Sequence, residues 1–326
     1  MILRYRVPQA AIFLALIGAA SAQVGPPAMG YLPDGGALRT ISGIPPAGLI
    51  GAAVTPGGAF SRIEVSPDQT QALAVAASNG AVMLYTTSSG ASVAVQGAGS
   101  APDRIIFSPS GTAAGLWFSS TRHFQLLHSL SASPVVQDID FSFTRSDPAS
   151  LAVSDDGQWM VGAWPFSTYA VGPSGNAMVL PVSGAPEAVS FFHRRNDVAA
   201  ITPSQVILIT DIAGSVAPKV IWSKPDDPPP ANPPTATPVE VAVGLATSFD
   251  NRYLSVAGNL GSLSTFDLAS GSSVGVNCAC APGGLYGMGD ALFRLTSLTD
   301  GVVKVFDASS NNVWFVPLAV PNGGVQ

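Results

Sequence analysis

Arg62-Ile63-Glu64-Val65, then Ser66-Pro67-Asp68-Gln69, then Ala72-Leu73-Ala74-Val75-Ala76, then Asn79-Gly80, then Val82-Met83-Leu84-Tyr85-Thr86: the reading of this stretch decides the fold. Short apolar runs of strand length alternate with turn chemistry. Asn-Gly between two such runs marks a hairpin, because both residues tolerate the positive φ of a type I′ turn. Ser89-Gly90 follows, and a fourth run spans Ser92 to Gln96. The same phrase returns along the chain, with turns at Ser108-Pro109-Ser110-Gly111, Ser154-Asp155-Asp156-Gly157 and Ser248-Phe249-Asp250-Asn251. Self-similarity at a period of roughly 40 to 45 residues identifies a blade array, since one small sheet cannot bury both faces without neighbours.

The fold class predicted is an all-β propeller of four-stranded antiparallel blades. Full blades are expected over Phe60 to Gly97, Arg104 to Phe141, Ser150 to Val182, Ala188 to Trp222, Val243 to Val276 and Leu285 to Pro317. One further hairpin precedes them, with Gly30 to Pro33 and Ala37 to Ile41 joined at Asp34-Gly35-Gly36. Seven blades are the expected number and six the alternative. A ring must hide its edge strands, and the expected device is an N-terminal strand completing the blade made by the C-terminus. Third strands end at Asp211, Asp267 and Asp307, where an Asp caps its own turn through an Asx hydrogen bond. Trp117, Trp159, Trp164, Trp222 and Trp314 sit on or beside strands and are expected mostly to fill the spaces between blades.

These turns and the Val305-Phe306-Asp307 type of strand ending resemble the secreted bacterial propellers of the YVTN and lactonase-like class. The resemblance covers most of the chain after about residue 60 and implies a propeller fold. It carries over no catalytic residue: the acidic, His and Arg constellation of the lactonases has no counterpart in this sequence.

Residues 1-22 read as a cleavable export signal, with Arg4 and Arg6 in the n-region, an apolar run from Ala10 to Gly18, and Ala20-Ser21-Ala22 as the cleavage site. An uncleaved anchor is the alternative. Residues 23-326 are expected to form a single secreted or periplasmic domain, without membrane insertion after cleavage. Hydrophobic residues make up 47% of the 326-residue chain and charged residues only 10%. The formal charge of -6 and the absence of Lys and Arg clusters exclude a nucleic-acid partner. Pro225 to Pro238 reads as an extended Pro-rich insertion between two blades.

Few residues suggest chemistry. His193-Arg194-Arg195 is the dense polar cluster, placed at a hairpin tip, where Arg forks would clamp an anionic group or simply face solvent. Cys278 and Cys280 are a candidate disulfide in an oxidising compartment, if a bulge or turn brings them into range; their redox state stays open. His123 and His128 have no ligand spacing with His193, so no metal is expected, and no cofactor fingerprint is present. The function expected is an exported binding or scaffold module for a protein or a glycan. The alternative is a lactonase-like or other hydrolase with its site at the central channel.

Overall fold

A computed structural model describes residues 28–54, 57–224 and 240–319. The predicted leader and the Pro-rich insertion lie outside the described residues. The chain is a seven-bladed β-propeller. Blade 1 has three strands, Ala28–Asp34, Ala37–Ser42 and Leu49–Val54. Blades 2 to 7 have four antiparallel strands each and begin with the inner strands Phe60–Val65, Arg104–Phe107, Ser150–Val153, Ala188–Phe191, Ala242–Thr247 and Tyr286–Gly287.

Blades cohere because alternate residues of each sheet face a neighbour, and each interface has its own apolar core. Phe124 and Phe141 of blade 3 meet Val153 and Met160 of blade 4, and Phe191 of blade 5 meets Val161 of blade 4. Trp117 and Trp164 pack across the interface of blades 3 and 4, with ring centroids 6.4 Å apart and the Phe141 ring 5.0 Å from Trp164. The circle closes through Leu32, Ile41 and Ile50 of blade 1 against Val303, Val305 and Val316 of blade 7. On its other side, Leu38 of blade 1 joins Ile63 and Ala72 of blade 2.

Closure runs opposite to the expected direction. All four strands of blade 7 come from the C-terminal part of the chain, and the segment after its last strand, Asn312–Val316, continues onto blade 1. Ile50 N–H donates to the Pro317 carbonyl at 2.8 Å, and Ala319 N–H donates to the Ile50 carbonyl at 2.8 Å, a parallel bridge on the outer edge of blade 1. The physical reason is the length of blade 1. Its three strands leave an unpaired edge beside the end of blade 7, and the nearest backbone able to cover that edge is the C-terminal segment.

Candidate functional site

Each blade begins with an inner strand followed by a tight turn, and the turn's first Ser is buried in four blades: Ser66, Ser108, Ser154 and Ser248. Its hydroxyl holds the turn from inside. Ser66 Oγ donates to Asp68 Oδ1 at 2.5 Å and accepts from Gln71 N–H at 3.1 Å, and Ser154 and Ser248 repeat both bonds with Asp156 and Trp159, and with Asp250 and Tyr253. This satisfies backbone donors that the sharp turn would otherwise leave buried without partners.

The turns also bond to one another around one face of the disc. Gln71 Nε2 donates to the Gly111 carbonyl, Ser110 N–H and Arg194 N–H donate to the two carboxylate oxygens of Asp155, and Phe249 N–H donates to the Asp290 carbonyl. Asn251 exchanges two bonds with the His193 backbone, at 2.8 and 2.9 Å. The circuit returns to its start through Gln69, whose Nε2 donates to the Gly287 carbonyl at 3.0 Å and whose Oε1 accepts from Tyr31 N–H at 2.7 Å. Gln69 therefore ties blade 2 to blade 7 and to blade 1 at once.

That circuit surrounds an axial channel of about 500 Å³. Its wall comes from the inner strands of blades 2 to 7, and no described residue of blade 1 borders it. Blade 7 instead abuts blade 2 directly: a Cβ on Gly287 would lie 2.8 Å from Pro67 Cβ. At the level of Glu64 the corresponding wall residues are Ile106, Ala152, Ser190, Ala246 and Tyr286, so one carboxylate stands in an otherwise uncharged ring.

Glu64 is part-buried and has no hydrogen-bond or ion-pair partner among the described residues. Burial pushes its pKa up from the ordinary glutamate value, against the opposing fields of Arg294 and Arg62. Arg294, 7% exposed, lies with its guanidinium carbon 4.1 Å from the centroid of the Tyr286 ring and donates from Nη1 to the Thr296 carbonyl at 3.1 Å. Burial lowers the Arg294 pKa, and burial likewise raises that of the Tyr286 hydroxyl. The hydroxyls bordering the channel are engaged in the wall: Ser190 Oγ and Thr247 Oγ1 donate to the Phe191 carbonyl at 3.1 and 3.3 Å, Tyr286 Oη donates to the Gly283 carbonyl at 3.3 Å, and Ser150 Oγ accepts from Val189 N–H at 3.2 Å.

The residues singled out from sequence lie elsewhere. His193 stacks on Phe249 at 4.8 Å between ring centroids, Arg195 pairs with Asp197 and lies over the Phe192 ring, and the Arg194 backbone is held by Asp155. Arg194 and Arg195 border a separate hollow with Asp155, Asp156 and Asn196 on the turn face. Cys278 and Cys280 form a disulfide with Cα atoms 5.2 Å apart, and Lys304 Nζ donates to the carbonyls of Cys278 and Ala279. His123 pairs with Asp138 at 2.8 Å across two strands of blade 3. No group of three or more His, Cys, Asp or Glu suited to a metal ion occurs among the described residues.

Glu64 and Gln69 were not among the site residues that sequence pointed to. Gln69 carried a signal: it holds the left-handed position, φ 63°, that Gly111 and Gly157 fill in the sister turns. Asn251, the other non-glycine at that position with φ 59°, likewise reaches a neighbouring blade. A residue that departs from Gly there accepts backbone strain, and here the side chain it gains is an inter-blade tie.

No protein-family model matches the chain, and no curated protein matches it. Among solved structures it is similar to a functionally unknown protein from Desulfotomaculum acetoxidans DSM 771, at 11% identity and a TM-score of 0.55, over 89% of this chain and 100% of that one. That likeness is one of fold.

Proposed function

We propose that this propeller is an exported, non-catalytic binding module of the YVTN-like repeat class, and that a group of a partner protein or glycan enters the axial channel. The observation that carries the reading is Glu64, an unpartnered carboxylate on the wall of a cavity large enough for a small ligand or a side chain. A desolvated charge with no partner among the described residues costs stability, so its place in an otherwise uncharged ring favours a binding role over a packing one. Three of the four hydroxyls bordering the channel, those of Ser190, Thr247 and Tyr286, donate to carbonyls of the wall, which supports binding over hydrolysis.

The test is capture of partners from an extracellular fraction and on a glycan array, by the natural chain and by Ser190→Trp, which fills the channel. Retention that Ser190→Trp abolishes supports the reading. Equal retention by both chains, or turnover of an ester or lactone panel by the purified protein, overturns it.

A further inference from the structure

The channel's polar groups are unevenly satisfied, and the imbalance has a sign. Arg62 Nη1 donates to the carbonyls of Pro102 and Asp103, and Arg104 Nη1 donates to those of Pro148 and Ala149 at 2.8 and 3.4 Å. Arg294, behind the wall, is committed to the Tyr286 ring and the Thr296 carbonyl. Asp103 Oδ2 accepts from Ser119 N–H at 2.7 Å. Two carboxylates have no hydrogen-bond partner for their side chains among the described residues: Glu64 within the channel and Asp290 at its turn-side mouth.

Each of these arginines is held by at least one carbonyl, whereas the carboxylates of Glu64 and Asp290 are held by no donor among the described residues. A wall of that kind complements a donor, and the strongest complement to a part-buried carboxylate is a cation in hydrogen-bond contact. Resting on the channel as the ligand seat, we infer that the group it takes is an organic ammonium ion: a protonated primary amine on an apolar stem, with Glu64 as counter-ion and Asp290 at the mouth. Ile106, Leu151, Val189, Leu245 and Leu285 border the channel and offer the stem an apolar wall. Arg62 and Arg294 oppose a cation, but neither forms an ion pair with Glu64, and both favour its charged form. With Arg104, these arginines face the carboxylates of Glu64, Asp103, Asp290 and Asp300, so the neighbourhood is not net positive. An ammonium in contact with Glu64 gains more than a more distant arginine withdraws, since Coulomb energy falls with distance.

The chemistry has two sources, a lysine side chain of a partner polypeptide or a free alkylamine. The experiment measures binding of n-pentylamine, 1-pentanol, pentanoate and N-acetyl-lysine amide to the full chain by calorimetry and thermal shift. Expected are binding of the amines, none of the isosteric alcohol, a loss of about tenfold or more in Glu64→Gln, and a smaller loss in Asp290→Asn. Tighter binding of the lysine amide than of pentylamine assigns the polypeptide source, and the reverse order assigns the free amine. Equal binding of amine and alcohol, no binding of any probe, or unchanged amine binding in Glu64→Gln overturns the inference. Pentanoate binding in place of the amines, abolished by Ser190→Trp, sinks the ammonium while leaving the channel as the ligand seat. Glu64→Gln is expected to fold, because it removes a desolvated charge and keeps the side chain's shape; its melting curve checks this.

Discussion

The arc of blades 3 to 6 and the seam where blade 7, blade 1 and blade 2 meet are built from the same repeat, yet they treat polar groups differently. Along the arc each joint has its own short-range bond between neighbouring blades. Arg104 reaches the Pro148 and Ala149 carbonyls, Ser150 Oγ accepts from Val189 N–H, and Glu187 accepts from Ala242 N–H. At the seam blade 1 is withdrawn from the channel, so blade 7 meets blade 2 across a wall with no inner strand of blade 1. One side chain, Gln69, makes both ties on the turn face, and Glu64 and Arg294 are buried nearby without pairing. Along the arc the charged side chains at the joints are engaged, although the hydroxyls of Thr168, Ser255 and Thr265 are buried there without a partner. The place where repetition is interrupted leaves charge available, and that is where a ligand has something to bind.

The largest effect expected follows from Gln69. Gln69→Ala leaves Tyr31 N–H and the Gly287 carbonyl without their partner and is predicted to cost about 2–4 kcal/mol in urea unfolding. Gln71→Ala removes one bond, to the Gly111 carbonyl, and is predicted to cost about 1–2 kcal/mol. Gln69→Gly should recover about 1 kcal/mol of the loss, because it relieves the left-handed backbone while still losing both ties. Equal costs for Gln69→Ala and Gln71→Ala would break the contrast between seam and arc.

Much of the repeat was legible in the sequence. The strand predicted from Val82 to Thr86 has those bounds in the fold, because period-2 alternation and the Asn-Gly and Ser-Gly turns beside it are local signals. The Asx caps were equally local: Asp267 Oδ1 accepts from Ala269 N–H at 2.9 Å, and Asp307 Oδ1 accepts from Ser309 N–H at 2.8 Å. In the seam the hairpin of blade 1 and the strands of blade 2 were legible as well, and what was not is the third strand of blade 1 and the closure onto it. Leu49–Val54 escaped notice as a strand, since Gly51, Ala52 and Ala53 give it no alternation and its outer edge is paired by residues far along the chain. Glu64 sits in an ordinary strand, and its isolation depends on which residue of blade 7 stands across from it. The polar cluster at His193-Arg194-Arg195 was legible through its density at a hairpin tip, where His193 stacks on Phe249 and Arg195 pairs with Asp197.

A second pair of variants probes how tightly the seam is closed. Gly287→Ala places a Cβ 2.8 Å from the Pro67 ring, where a rigid side chain must yield, and is predicted to destabilise by about 1–3 kcal/mol. Gly275→Ala, in the outer strand of blade 6, meets nothing closer than the Leu263 carbonyl at 3.9 Å and is predicted to be neutral or stabilising by up to about 1 kcal/mol. If both glycines tolerate Ala equally in denaturant melts, blade 7 does not press on blade 2.

The smallest effects carry the sharpest form of the comparison, because they differ in sign. Glu64 at the seam has its folded pKa raised by burial, so the folded state holds its proton more tightly than the unfolded chain does. Its contribution is favourable below the unfolded value of 4.5 and is lost as pH rises through the folded pKa, so Glu64→Gln should raise the melting temperature at neutral pH and flatten that slope. Asp267 on blade 6 is the opposite case. The hydrogen bond from Arg252 is the largest of the causes that draw its pKa down to about 2, so its contribution is present above the ordinary value of 3.8 and disappears as pH falls toward about 2. Arg252→Ala should return the Asp267 titration, followed by carboxyl NMR shifts, toward that ordinary value and bring its small stability loss only above that range, since the pair is solvated. Parallel slopes for the two carboxylates would mean that the seam holds Glu64 as comfortably as the arc holds Asp267, and the argument that Glu64 is kept for a ligand would lose its energetic basis.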